Sequence, residues 1–159
     1  MEISRYDLSE EIVLEVGKFA ILWNWFECNF CDNDCNSTKI EDISKRIHIA
    51  EKVQKNFADE LKNRCFSFGL SEMDYVKESL HPEKARRSSE KDMEIMNNFI
   101  KQSGSESTHG CLLVLYRMRN NLMHGLKCLD ELDKQLELFR AATAVLDGIV
   151  DKTIDSRGL

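Results

Sequence analysis

Residues 111–127 read CLLVLYRMRNNLMHGLK. The first thirteen residues form the most apolar segment of the chain, spaced for a core helix, and Gly125 is a natural residue just past a helix C-terminus. Arg117, Arg119, Asn120, Asn121, His124 and Lys127 crowd the end of this helix, where a core-facing pattern would simply stop. The fold and the candidate chemistry both turn on this stretch.

Outward from it, the chain reads as all-α. A single proline (Pro82), seven glycines, 42% hydrophobic and 31% charged residues favour long uninterrupted helices over a sheet with many turns. A first helix is expected over about 7–30, with Ile12, Val16, Phe19, Trp23, Phe26 and Phe30 on its inner face. CDNDCNST breaks the pattern. Ser37 or Thr38 then caps a second helix to about 66, whose stripe is Ile40, Ile43, Ile47, Ala50, Val53, Phe57 and Leu61, with Gly69 ending it. A shorter segment covers 71–80, before the boundary at His81-Pro82. The basic run KARRSSEK (84–91) leads into a third long helix carrying Met93, Met96, Phe99 and Ile100, and QSGSESTHG (102–110) reads as a loop. A last amphipathic helix presents Leu129, Leu132, Leu136, Phe139, Ala142, Leu146 and Ile149, followed by a tail, 151–159, expected to fray.

The 159 residues suit one domain, 1–159, built as a helical bundle of four to five main helices. No span approaches ~20 consecutive apolar residues, and MEISRYDLSEE lacks the basic start and apolar stretch of a signal peptide, so a soluble, cytoplasmic protein with no membrane partner is expected. The six cysteines are accordingly expected as reduced thiols. Cys28, Cys31 and Cys35 form C-x2-C-x3-C, but a second pair for an ordinary zinc site is missing, so no metal is assigned. A net charge of −6 argues against a dedicated binder of long nucleic acid while leaving room for a small basic cleft.

Within the polar helix end, Arg119 and His124 lie five residues apart, roughly 140° around a continuous helix. An unwinding at His124, next to Gly125, would swing the imidazole back toward the guanidinium, and Asn120 lies four residues before the histidine. A permanently charged fork, a group titrating near neutral pH and polar amides suit phosphodiester cleavage. The same spacing also fits a purely structural use, with Arg117, Arg119 and Lys127 compensating the helix dipole and His124 capping the C-terminus. His48, His81 and His109 have no Arg-Asn companion.

RNNLMHG resembles the signature of the HEPN superfamily (higher eukaryotes and prokaryotes nucleotide-binding domains), in which an arginine, followed by a polar residue, is separated from a histidine by four to six intervening residues, four here between Arg119 and His124. ILWNWFE (21–27) is similar to the first-helix motif of bacterial members. The resemblance implies a small helical bundle with the motif near the end of its penultimate long helix. It also implies a metal-independent endoribonuclease, needing no cofactor, of a toxin–antitoxin or phage-defence system. Arg119 and His124 would be catalytic, with Asn120 orienting the histidine or the phosphate. Arg117, Asn121, Lys127 and Glu27 would line the substrate site, Glu27 helping to position Arg119. RNA would be cut to a 2′,3′-cyclic phosphate. The partners implied are RNA, a second copy of the chain in a homodimer whose two motifs share one cleft, and an antitoxin or defence protein. Members paired with a minimal nucleotidyltransferase often carry a tyrosine two residues after the histidine, and Leu126 stands there here. Trp23, Trp25 and Phe26 are the residues expected to supply part of the dimer face. The alternative is a non-catalytic HEPN-like module that binds RNA, a nucleotide or a protein.

Overall fold

The computed structural model of the chain describes residues 8–80, 89–124 and 132–157, with the backbone alone at 123 and 124. Among these residues every regular element is helical. Helix α1 (Glu10–Phe30) starts where the Ser9 hydroxyl accepts the Ile12 amide, with Glu10 and Glu11 complementing the dipole in its first turn. Asn36 caps α2 (Ser37–Ser44) by accepting Lys39 N–H. Helix α3 (Glu51–Phe68) ends at Gly69, whose φ of 65° makes the left-handed turn that glycine adopts at least cost. Ser71 caps α4 (Glu72–Glu78), and Ser89 caps α5 (Glu90–Lys101) in the same way. Then come α6 (Ser107–His124), a 3-10 turn (Asp133–Gln135) and α7 (Leu136–Ser156).

Among the described residues five helices of 12 to 21 residues make the body of the bundle, and α2 and α4, of 8 and 7 residues, complete seven. The total exceeds the four to five main helices expected because it includes α4, read as a shorter segment, and because the stretch read as one helix from about 38 to 66 is two. The chain leaves α2 at Lys45, turns, and re-enters helix only at Glu51. Ile49 turns inward there at 3% exposure while Ala50 is exposed, and the carbonyl of Ile49 accepts the Gln54 side-chain amide at 2.9 Å. The three- and four-residue phase counted through Ile47 and Ala50 is therefore lost at the break.

Helix α7 packs along α1 and α3, α5 lies against α6, and α6 also touches α2 and α3. Residues Cys111 to Leu115 are each at most 1% exposed, so this middle part of α6 is covered on all sides and forms the centre of the bundle. It begins earlier than the sequence suggests, at Ser107, because Gly110 lets its first turns press onto α5. A Cβ on Gly110 would lie 2.6 Å from the Phe99 Cβ and 2.7 Å from the Ile95 carbonyl oxygen. At the other end of the chain α7 stays helical to Ser156, where fraying from 151 was expected.

The aromatic residues of α1 correct the proposed dimer face. Trp23 and Phe26 are 1% and 0% exposed. Trp23 lies 5.0 Å from the Phe26 ring and 6.1 Å from Tyr116, which ties α1 to α6 inside the core. Trp25 is half-buried against Phe30. No helix among the described residues is long and apolar enough to cross a membrane.

Candidate functional site

Along α6 the polar residues of YRMRNNLMH divide between two directions. Arg117 and Asn121 are four apart and share a side, whereas Arg119 is rotated by roughly 200° from Arg117. The structure uses the two sides differently.

The first side faces α4. Arg117 is 5% exposed and its Nε donates to the Leu80 carbonyl at 2.9 Å. Asn121 Nδ2 donates to the Ser79 carbonyl at 3.0 Å. Both side chains thus satisfy carbonyls just past the C-terminus of α4 that would otherwise be orphaned. Burial lowers the pKa of the Arg117 guanidinium from its ordinary value, with Tyr116 acting in the opposite sense. An arginine nonetheless keeps its charge.

The second side faces the end of α1. Arg119 Nη2 stands 3.7 Å from Glu27 Oε2, the two side chains being 33% and 12% exposed. Its Nη1 donates to Asn120 Oδ1 at 3.2 Å. The guanidinium is therefore held from two directions while the side chain as a whole remains a third exposed. Glu27 is itself oriented, because its Oε1 accepts the Cys35 backbone N–H at 3.1 Å. The Glu27 carbonyl also receives the amides of Cys31 and Asn33, at 2.9 and 3.1 Å.

Cys31 and Cys35 are joined in a disulfide, which corrects the expectation of six reduced thiols. Their Cα atoms are 4.9 Å apart, within the range a bridge requires. The turn at 31–35 brings them together, and the Lys39 ammonium fastens it by donating to the carbonyls of Cys31 and Asp34 at 3.1 and 2.8 Å. Cys28 is free and exposed, whereas Cys65 and Cys111 are free and buried. No group of three or more His, Cys, Asp or Glu suited to a metal ion occurs among the described residues.

Helix α6 runs through His124, where an unwinding was expected, so Arg119 and His124 sit on one continuous helix. They are separated by roughly 7.5 Å along its axis. The His124 ring, Gly125, Leu126, Lys127 and Cys128 lie outside the described residues, as do His81 and most of the basic run at 84–91. His48 is exposed, and His109 is buried in the first turns of α6 with Nε2 unpartnered. The structure thus brings Glu27, Arg119 and Asn120 together and turns Arg117 and Asn121 toward α4. Sequence reasoning missed the bridged turn behind Glu27, whose one signal was the Cys-x3-Cys spacing weighed there as a metal motif.

Comparison of the chain with models of protein families, with curated proteins and with solved structures gives no match.

Proposed function

We propose that the chain is a metal-independent endoribonuclease of the HEPN type, acting in a toxin–antitoxin or phage-defence context. The observation that carries this reading is the partly exposed Arg119 side chain, its guanidinium held by Glu27 and Asn120, five residues before His124 on the same helix. Arg119 binds the scissile phosphate and stabilises the charge that builds on it in the transition state. His124 removes the proton from the ribose 2′-hydroxyl, which attacks the phosphorus in line and leaves a 2′,3′-cyclic phosphate as the 5′-oxygen departs. The nucleophile is already part of the RNA, so the reaction has no need of a metal to generate one. Single-stranded or looped RNA suits the geometry, since its backbone can be splayed for in-line attack.

One motif supplies a single titrating group, whereas attack and departure call for proton transfer at both ends of the phosphate. A two-fold homodimer that joins two motifs in one cleft meets this need and concentrates positive charge in an acidic chain. The test is incubation of the protein with total RNA in excess chelator, followed by mapping of cut ends. The expected result is cyclic-phosphate ends with the wild type and none with His124→Ala or Arg119→Ala. Cleavage that survives in both variants refutes the assignment.

The engagement of Arg117 and Asn121 with the end of α4 favours a second reading, in which the motif serves the fold of a non-catalytic module that binds RNA, a nucleotide or a protein. RNA retained by wild type and by His124→Ala alike, with no cut ends, selects that reading.

A further inference from the structure

The bridge and the candidate site are connected by one side chain. Glu27 sits in the last turn of α1, with one carboxylate oxygen on the Cys35 amide at 3.1 Å and the other facing Arg119 at 3.7 Å. A backbone N–H of a bridged residue thus sets the orientation of the carboxylate that holds the guanidinium. Between the two cysteines the backbone takes a course that ordinary residues avoid, since Asp32 and Asn33, with φ of 51° and 67°, are both left-handed and neither is glycine. The bridge closes this turn, with the sulfurs packed inward at residues 1% and 5% exposed.

We propose that the Cys31–Cys35 disulfide is a redox latch that sets the position of Arg119 through Glu27. Its consequence for RNA rests on the ribonuclease reading, whereas its effect on Arg119 does not. Opening requires a dithiol reductant, which reaches the inward sulfurs when the 31–35 turn opens locally. One of its thiolates bonds to a bridge sulfur, the Cys31–Cys35 bond breaks and the other cysteine leaves as a thiolate. The second reductant thiolate then displaces the first sulfur, so the reductant departs as a cyclic disulfide and its two protons end on Cys31 and Cys35. Freed of the bridge, the 32–33 turn relaxes out of its left-handed course and carries the Cys35 N–H away from Glu27. The carboxylate loses the donor that orients it, and Arg119 loses its fixed partner.

The experiment uses the full chain with Cys28→Ser, which removes the exposed thiol that could reshuffle the bridge. Oxidised protein is compared with protein reduced by dithiothreitol, the state of the bridge being verified by mass after alkylation. Three quantities are read: helix content by circular dichroism, the Arg119 Nε–Hε cross-peak identified by its loss in Arg119→Lys, and RNA cleavage. On reduction the Arg119 cross-peak is expected to move while that of Arg140, paired with Glu11 and Glu137 elsewhere on the surface, stays in place. Cleavage is expected to fall by up to about a hundredfold, as an ångström-scale misplacement of a positioning group can cause. An unmoved Arg119 cross-peak with the bridge open overturns the latch, as does cleavage that is measurable and equal in both forms. A global loss of helix on reduction overturns it too, because the bridge would then be a staple of the fold. A moved cross-peak with no cleavage in either form upholds the latch and refutes the ribonuclease reading alone.

Discussion

Replacing Gly110 with alanine tests the packing on which the site depends. Helix α6 presses onto α5 at this residue so closely that an added Cβ would stand 2.6 Å from the Phe99 Cβ and 2.7 Å from the Ile95 carbonyl oxygen. The second obstacle is backbone, so no change of rotamer relieves it. To restore an ordinary separation of about 3.4 Å from that oxygen the helices must part by roughly 0.7 Å. Phe99 cannot yield freely, being 3% exposed, with its ring tilted against that of Phe57 of α3 at 5.8 Å between centroids. Overpacking of this kind costs about 1–3 kcal/mol, and the backbone clash places it near the upper end. Alanine returns about 1 kcal/mol through its higher helix propensity. The net expectation is a loss of about 2 kcal/mol, or about 4–8 °C in Tm for a chain of this size. Gly148, inside α7 with nothing within 4 Å of its added Cβ, provides the control. Gly148→Ala should gain about 0.5–1 kcal/mol from propensity alone. Urea unfolding followed by circular dichroism, with the slope unchanged between variants, measures both. A Gly110→Ala protein as stable as the wild type would refute the close approach of α5 and α6, and with it the placement of α6.

Three further outcomes follow from particular side chains. Arg117→Ala should cost about 2–3 kcal/mol, because it removes a buried charged donor from the Leu80 carbonyl together with its packed stem, whereas the half-open pair of Arg119 makes Arg119→Ala cost under about 1 kcal/mol. Equal losses in urea titrations would show that the two sides of α6 are not used differently. Burial, with the charge of Glu72 adding to it, pushes the Cys65 thiol up from 9.0 to about 11, and burial likewise raises the Tyr75 hydroxyl from 10.0 to about 12 against the opposing charge of Arg64. The folded chain therefore holds protons that the unfolded chain releases above about pH 9, so this stability is complete below that point and is lost as pH rises toward 11 and beyond. A urea midpoint that stays flat from pH 8 to 11 would contradict it. Under native conditions an alkylating reagent should label Cys28 rapidly and leave Cys65 and Cys111 unlabelled until the chain unfolds, which peptide mass mapping checks.

What was legible in the sequence follows from which quantities are local. The inner face of α1 was readable because a three- and four-residue phase persists without a break, and Ile12, Phe19, Trp23 and Phe26 are indeed buried. The same count failed across 45–50, where the chain leaves helix and the phase resets, putting Ile49 inside and Ala50 outside. Trp23 and Phe26 were legible on the inner face of α1, and their further assignment to a dimer face failed because only the position of Tyr116 on α6 shows what covers them.

Within the candidate site the limit is sharper. In RMRNN, Arg117 and Arg119 are chemically identical letters two residues apart, and a rotation of roughly 200° sends them to opposite sides of one helix. Helical geometry requires that they differ without saying which of them meets α4. That depends on the carbonyl of Leu80, 37 residues away, and no local pattern encodes such a contact. Cys31 and Cys35 pose the same problem in reverse. Their spacing is local and visible, yet its consequence arises only because Glu27 accepts the Cys35 amide with one oxygen and faces Arg119 with the other. A carboxylate with two oxygens can couple a turn at residue 35 to a guanidinium at residue 119, and that coupling belongs to the packing of α6 at the end of α1, not to any stretch of sequence read alone.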